Sequence, residues 1–131
     1  MYLLGYDVGS SSIKATLLDA ESGRAVASAS SPKKEMEMIA VKPGWAEQHP
    51  QVWWENVKAA TAEIKSAFAF NPADVRAIGI SYQMHGLVVV DKNQQVLRPS
   101  IIWCDSRAVE TGNRAAKKIG QAKCLKSLLN L

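Results

Sequence analysis

Two short stretches of the 131-residue chain carry residues whose types and spacing can do chemistry. The first is DVGSSSIK, residues 7–14, where an aspartate at the end of an apolar run precedes a glycine, three serines and a lysine. Two strands joined by a tight glycine-containing turn offer backbone N–H groups and hydroxyls to an anion. Asp7 would repel a bare phosphate. It fits if a hydrated magnesium ion lies between, because that ion keeps its waters and meets protein through few carboxylates. Lys14 stands as a counter-charge on the following strand. Gly9, Ser10, Ser11 and Ser12 then form the phosphate cradle, although the same residues serve equally well as a polar hairpin turn. The stretch is neither a P-loop nor a dinucleotide-binding fingerprint. The second stretch is SYQMHGLVVVD, residues 81–91, which wedges His85 between Met84 and Gly86 at the end of an apolar run. A lone histidine is more often structural than a ligand contact, so its reading depends on what surrounds it.

The elements that position these residues follow from pattern. Residues 2–8, 13–19 and 24–30 read as three strands linked by short turns, an antiparallel meander. Residues 31–48 are irregular, with Pro32 and Pro43-Gly44. Pro50 opens a helix in which Trp53, Val57, Ala60 and Ile64 recur at spacings of four, three and four, predicting about five turns. His49 is expected to cap it, with Trp53 and Trp54 in its packing face. Asn71-Pro72 caps a short helical turn. AIGISY (77–82) is expected as a buried strand, LVVVD (87–91) as another, and further short runs lie near Val96 and at SIIW (100–103). From Arg107 the pattern is helical, broken at Gly120. The order of three strands, helix, strand and helix predicts a three-layer α/β domain.

Bulk properties exclude several classes. The net charge of +4 gathers late, at Arg114, Lys117, Lys118, Lys123 and Lys126. No aromatic residue is interleaved there, so a solvated helix face is expected and nucleic-acid binding is not. Cys104 and Cys124 have no CxxC or ligand pair beside them and read as buried or semi-buried free thiols. No run reaches membrane-spanning length, and MYLLGYDVG lacks the basic leader of a signal peptide. A cytoplasmic location without membrane contact is expected.

DVGSSSIKATLLD resembles the first phosphate motif of the actin and hexokinase superfamily, in the form used by the FGGY carbohydrate kinases. PGWAEQHPQVWWENV (43–57), AIGISYQMHGLVVVD (77–91) and LRPSIIWCDSRA (97–108) resemble further motifs of that family in the same order. The Met-His-Gly turn is similar to that of its xylulokinase branch, where glycerol kinases have an Arg-Glu pair. The resemblance implies a three-layer actin-like ATPase (ribonuclease H-like) domain, with a mixed sheet and flanking helices. Residues 1–131 would form most of the N-terminal domain of a two-domain kinase, the C-terminal nucleotide domain being absent.

The resemblance also implies ATP and magnesium as cofactors and a ketopentose as substrate, most closely D-xylulose. Ribulose, gluconate, erythritol or glycerol kinases, and a non-catalytic actin-like ligand-binding module, remain alternatives. In that fold residues 83–86 reach the mouth of an interdomain cleft. There His85 would donate one hydrogen bond to a sugar and accept another. Gln83 stands beside it, Met84 offers soft apolar contact, and Gly86 permits a sharp turn or close approach. Trp103 would supply a flat wall and Asp105 a hydroxyl acceptor, while Trp45 and Glu47 are architectural first. The general-base aspartate is expected beyond residue 131, so no catalytic residue is expected here and the chain alone should be inactive. These motifs do not set the oligomeric state, and a homodimer of the full-length protein stays open.

Overall fold

The computed structural model describes residues 1–128. Its centre is a four-stranded mixed sheet in the order β3-β2-β1-β5. Strands β1 (Tyr2–Val8), β2 (Ile13–Asp19) and β3 (Arg24–Ser31) form the expected antiparallel meander. Gly23, at φ 68°, takes the left-handed conformation that the tight β2–β3 turn requires. β5 (Val75–Tyr82) returns to lie parallel to β1.

α1 (Pro50–Ala67) crosses one face of this sheet. Its apolar positions fall on one side because their spacing follows the helical period. Ala60 and Ile64 are buried there against Leu4, Ala15, Leu17 and Ala29. Tyr6 Oη and Thr61 Oγ1, 2.6 Å apart, fix the helix to β1. Pro50 occupies the first turn, where its missing N–H costs nothing. His49 holds the N-cap position, but its side chain makes no capping bond. Asn71 does cap: its side chain accepts from Ala73 N at 3.0 Å and starts a short 3₁₀ turn, Pro72–Asp74.

A second, two-stranded sheet pairs β4 (Glu47–Gln48) with β6 (Ser100–Ile101). β4 lies within the stretch expected to be irregular. α2 (Val109–Ile119) and α3 (Gln121–Leu128) follow, separated by Gly120 at φ 91°. The expected continuation of helix beyond residue 128 lies outside the described residues. The result is a mixed α/β fold with a central sheet flanked by helices.

Several expectations change. β5 pairs as a strand but is not buried: Ile78, Ile80 and Tyr82 are exposed, because α1 lies over β2 and β3 and stops short of β5. LVVVD forms no strand. Leu87 bridges Ile101 and Val90 bridges Val96, so the run changes partners before a ladder can extend. The segment around Val96 likewise makes only that bridge, while Asp91 Oδ1 accepts the Asn93 and Gln95 N–H groups and closes a local turn. Trp54 is exposed rather than packed, and of the two free thiols Cys124 is buried while Cys104, in the turn after β6, is exposed.

Ile64 is the centre of the helix–sheet contact and is fully enclosed. Ile64→Ala should destabilise the chain by about 2 to 5 kcal/mol, the usual cost of truncating a buried isoleucine. Urea unfolding followed by circular dichroism reads this directly, and a loss below about 1 kcal/mol would show that α1 does not depend on this contact.

Candidate functional site

The β1–β2 register sets Asp7 opposite Lys14, both on the sheet face turned away from α1. Lys14 Nζ lies 3.7 Å from Asp7 Oδ2, and both side chains are more than half exposed. Between the strands, Gly9 N donates to Ser12 O at 3.2 Å. A Cβ on Gly9 would sit 3.0 Å from that oxygen, so the turn is tight enough to select glycine. Three of its carbonyls are bonded within the chain, Ser12 O to Gly9 N among them. Ser10 O accepts from Gln48 Nε2 at 2.7 Å and Ser11 O from Met36 N at 2.8 Å. In a trans peptide the following N–H points the opposite way. The turn therefore presents the polarity an anion needs, and its residues fit a phosphate. Asp7, a single accessible carboxylate, fits a magnesium ion held through water. Among the described residues no cluster of three or more His, Cys, Asp or Glu forms a direct metal cage.

The second turn lies beside the first. Gln83 N donates to Val8 O at 2.9 Å, extending the β1–β5 ladder to the residue before Gly9. A cleft of about 330 Å³ opens at the carboxyl ends of these parallel strands, lined by Val8, Trp53, Gln83, Met84, His85 and Ser100 among others. That is the usual ligand position in α/β sheets. The conformational constraint falls on His85, not on Gly86. His85 has φ 62°, a left-handed conformation that costs an L-residue about 1 to 3 kcal/mol. A Cβ on Gly86 would make only ordinary contacts, 3.6 Å from Ile101 O and 3.9 Å from Ser100 Oγ. The His85 side chain is exposed at the cleft mouth, and Met84 is exposed beside it. Trp53, expected in helix packing, is half-buried and lines the cleft, its Nε1 donating to Gln48 Oε1 at 3.0 Å.

Trp103 and Asp105 stand elsewhere. Trp103 Nε1 is 3.2 Å from Ser10 Oγ, so this exposed ring lies against the serine turn. Asp105 does not line the cleft. Its oxygens accept from Ala46 N at 2.7 Å and from Arg107 Nε at 2.9 Å, and its side chain is 2% exposed. The Arg107 guanidinium, helped by the Ala46 N–H, holds the Asp105 carboxyl well below the usual carboxylate range. Arg107 in turn pairs with Glu47 Oε1 at 2.7 Å and stacks 3.7 Å over the Trp45 ring. Glu47 is buried and also pairs with Arg98. Together these residues lock the 43–48 loop to the 98–107 segment, which agrees with an architectural role for Trp45 and Glu47.

Gln48 carries a role that the sequence did not announce. Its 3%-exposed carboxamide donates to Ser10 O and Glu37 O and accepts from Trp53, joining the serine turn to the cleft wall. A glutamine in a polar loop carries no signal of this. A larger groove of about 700 Å³ beside α1, lined by Tyr6, Val8, Trp54, Val57, Ile78 and Ile80 among others, lacks the convergent polar groups of a ligand site.

A mixed sheet with a serine turn and a cleft at the ends of β1 and β5 describes the class, an α/β domain with a candidate ligand site at its strand ends. The chain belongs to the FGGY family of carbohydrate kinases, matching its N-terminal domain over residues 2–130. It is 37% identical over 119 residues to the xylulose kinase of Bacillus subtilis, covering 91% of this chain and 23% of that protein. A crystal structure described as a xyloylose kinase from Brucella ovis superposes with a TM-score of 0.77 at 34% identity, covering 91% of this chain and 25% of that one. Gluconate kinase from Lactobacillus acidophilus superposes at 0.81 with 29% identity, covering 95% and 24%. The chain thus spans about a quarter of the length of these relatives. Among the described residues no helix is long and apolar enough to cross a membrane.

The Asp105 pairing has a pH signature. A carboxyl whose pKa is depressed on folding contributes stability above its unfolded value of about 3.9, and that contribution disappears as pH falls through the lower folded value. The urea midpoint should therefore drop below about pH 4 in the wild type. In Asp105→Asn the chain should be less stable at neutral pH, with a flatter acid limb. Parallel acid limbs for the two proteins would show that Asp105 is not held by this pairing.

Proposed function

We propose that the chain is the sugar-binding side and first phosphate motif of a cytoplasmic kinase that uses ATP and magnesium. It would transfer the γ-phosphoryl group of ATP to a hydroxyl of D-xylulose, giving D-xylulose 5-phosphate. The observation that carries this reading is the adjacency of two turns. Through the Gln83 N–Val8 O bond, the QMHG turn and the GSSS turn leave the ends of neighbouring strands side by side. A sugar in the first would lie next to a phosphate held at the second. Phosphoryl transfer asks a protein chiefly for such positioning and for charge neutralisation.

The residues divide the work. Ser10, Ser11 and Ser12 would face the phosphates with N–H groups and hydroxyls around the tight bend at Gly9, and Lys14 would supply positive charge. Asp7 orients magnesium through its waters; the ion supplies neutralisation of charge on the phosphoryl oxygens. His85 and Gln83 bond sugar hydroxyls, and Met84 lies against the sugar's carbon face. Trp103 would join the sugar wall across Ser10. Asp105 would reach a sugar hydroxyl only by leaving Arg107, so we assign it to holding the loop. An aspartate general base would come from outside residues 1–131. The Met-His-Gly turn and the likeness to the Bacillus subtilis xylulose kinase favour D-xylulose, while the likeness to a gluconate kinase keeps that acid as the second substrate to test.

Two substitutions, made in the full-length kinase, check the assignment. Asp7→Asn should lower turnover by about 10- to 100-fold, the usual cost of losing a partner of metal-bound groups, with sugar affinity in the absence of nucleotide unchanged. Unaltered turnover at saturating magnesium would reduce GSSS to a hairpin turn. His85→Ala should cost about 1 to 3 kcal/mol of D-xylulose binding by calorimetry and spare ATP. A deoxy sugar lacking the contacted hydroxyl should be indifferent to the change. Equal losses for both sugars would return His85 to a structural role.

A further inference from the structure

Gln48 meets its three partners with a fixed polarity. Its Nε2 donates to Ser10 O at 2.7 Å and to Glu37 O at 3.3 Å, and its Oε1 accepts the Trp53 indole N–H at 3.0 Å. A carboxamide can be turned end for end. Two carbonyls and an indole allow only one orientation, because an indole N–H never accepts and a carbonyl never donates. Trp53 therefore settles which end of Gln48 faces the serine turn. The side chain has no room to find other partners, being 3% exposed, and its backbone pairs with the fully buried Ser100 between β4 and β6.

The bond from Gln48 fixes more than a carbonyl. A peptide unit is planar and trans, so holding Ser10 O also sets the direction of the Ser11 N–H across that plane. Met36 N, donating to Ser11 O at 2.8 Å, does the same for the Ser12 N–H. Gln48 ties down this stretch as well, through the neighbouring Glu37 O. Ser11 is exposed, so a ligand can reach its N–H. Successive N–H groups released from the chain in this way make an anion-binding concavity. One depends on Gln48 directly, the other through residues 36 and 37.

We propose that Gln48 is the positioning residue of the serine turn. Oriented by Trp53, it holds the Ser10–Ser11 peptide with the N–H directed at the phosphate, and it touches no ligand itself. This assignment rests on the phosphate reading of that turn and adds the residue that preorganises it. Without Gln48 the peptide unit can rotate, and a carbonyl turned towards the anion replaces attraction with repulsion.

The test follows the Ser11 backbone N–H of the 131-residue chain by NMR as magnesium pyrophosphate is added. Gln48→Met keeps the length of the side chain and removes both donor and acceptor, and the Kd read from Ser11 should weaken about tenfold. Gln48→Glu keeps the acceptor for Trp53 and removes only the donors. It should weaken binding at least as much, with the Trp53 indole N–H still protected from exchange. A merely structural role would lower the thermal midpoint of Gln48→Met and leave its Kd unchanged, which would overturn the assignment. A loss confined to Gln48→Glu would be charge repulsion and would overturn it too. Should neither variant fold, Trp53→Phe leaves Gln48 in place and removes the orienting indole. Its Kd should weaken in the same direction, and an unchanged value would sink the assignment. If Ser11 in the wild type does not respond to pyrophosphate at all, the phosphate reading fails and takes the role of Gln48 with it.

Discussion

The position of β1 between an antiparallel and a parallel neighbour constrains everything functional in this chain. A single register places Asp7 opposite both Lys14 and Ser81, and Val8 opposite both Ile13 and Tyr82. The serine turn and the QMHG turn are therefore not independent loops that happen to meet. Both are held by the last two residues of one strand. A slip of one residue would send Asp7 to the α1 face and Val8 to the other, because side chains alternate. The burial of Leu4, Ala15 and Leu17 under α1 forbids that slip. Core packing at one end of the strand thus sets the chemistry at its other end.

A second layer of control comes from buried charge. Glu47, Arg98, Arg107 and Asp105 form a network linking two loops some fifty residues apart in sequence, with Trp45 stacked on Arg107. Such networks add little net stability over a well-packed apolar alternative, but breaking one partner is costly. Here the network keeps β4 against β6, and through Gln48 it reaches the Ser10 carbonyl. The serine turn is supported by a glutamine whose position depends on arginines well removed from it in sequence.

Local pattern revealed the parts of the fold whose causes are local. The meander followed from short turns between apolar runs, and α1 from the spacing of Trp53, Val57, Ala60 and Ile64. The Asn71 cap came from a residue pair. What pattern could not show depends on distant partners. β5 reads as a buried strand because its residues are apolar, yet its exposure is decided by where α1 ends. β4 is two residues in a polar loop, and its partner is far along the chain. Asp105 and Arg107 stand two apart in the sequence, but nothing there says that they neutralise each other rather than a ligand. At the candidate site, Asp7, the serines and His85 were recognisable by type and motif. That the left-handed backbone would fall on His85 rather than Gly86 is a matter of geometry that composition does not encode.

The uncovered side of β5 bears on how this polypeptide behaves in company. Among the described residues the strand has a neighbour on one side only, and Ile78, Ile80 and Tyr82 form an exposed apolar row along it. An open strand edge with such a row is a template on which another chain can add a strand. Opposing this is long-range repulsion from a net charge of +4, which salt screens within about 10 Å at 0.1 M. The balance between edge pairing and charge repulsion consequently shifts with ionic strength, added salt favouring the edge.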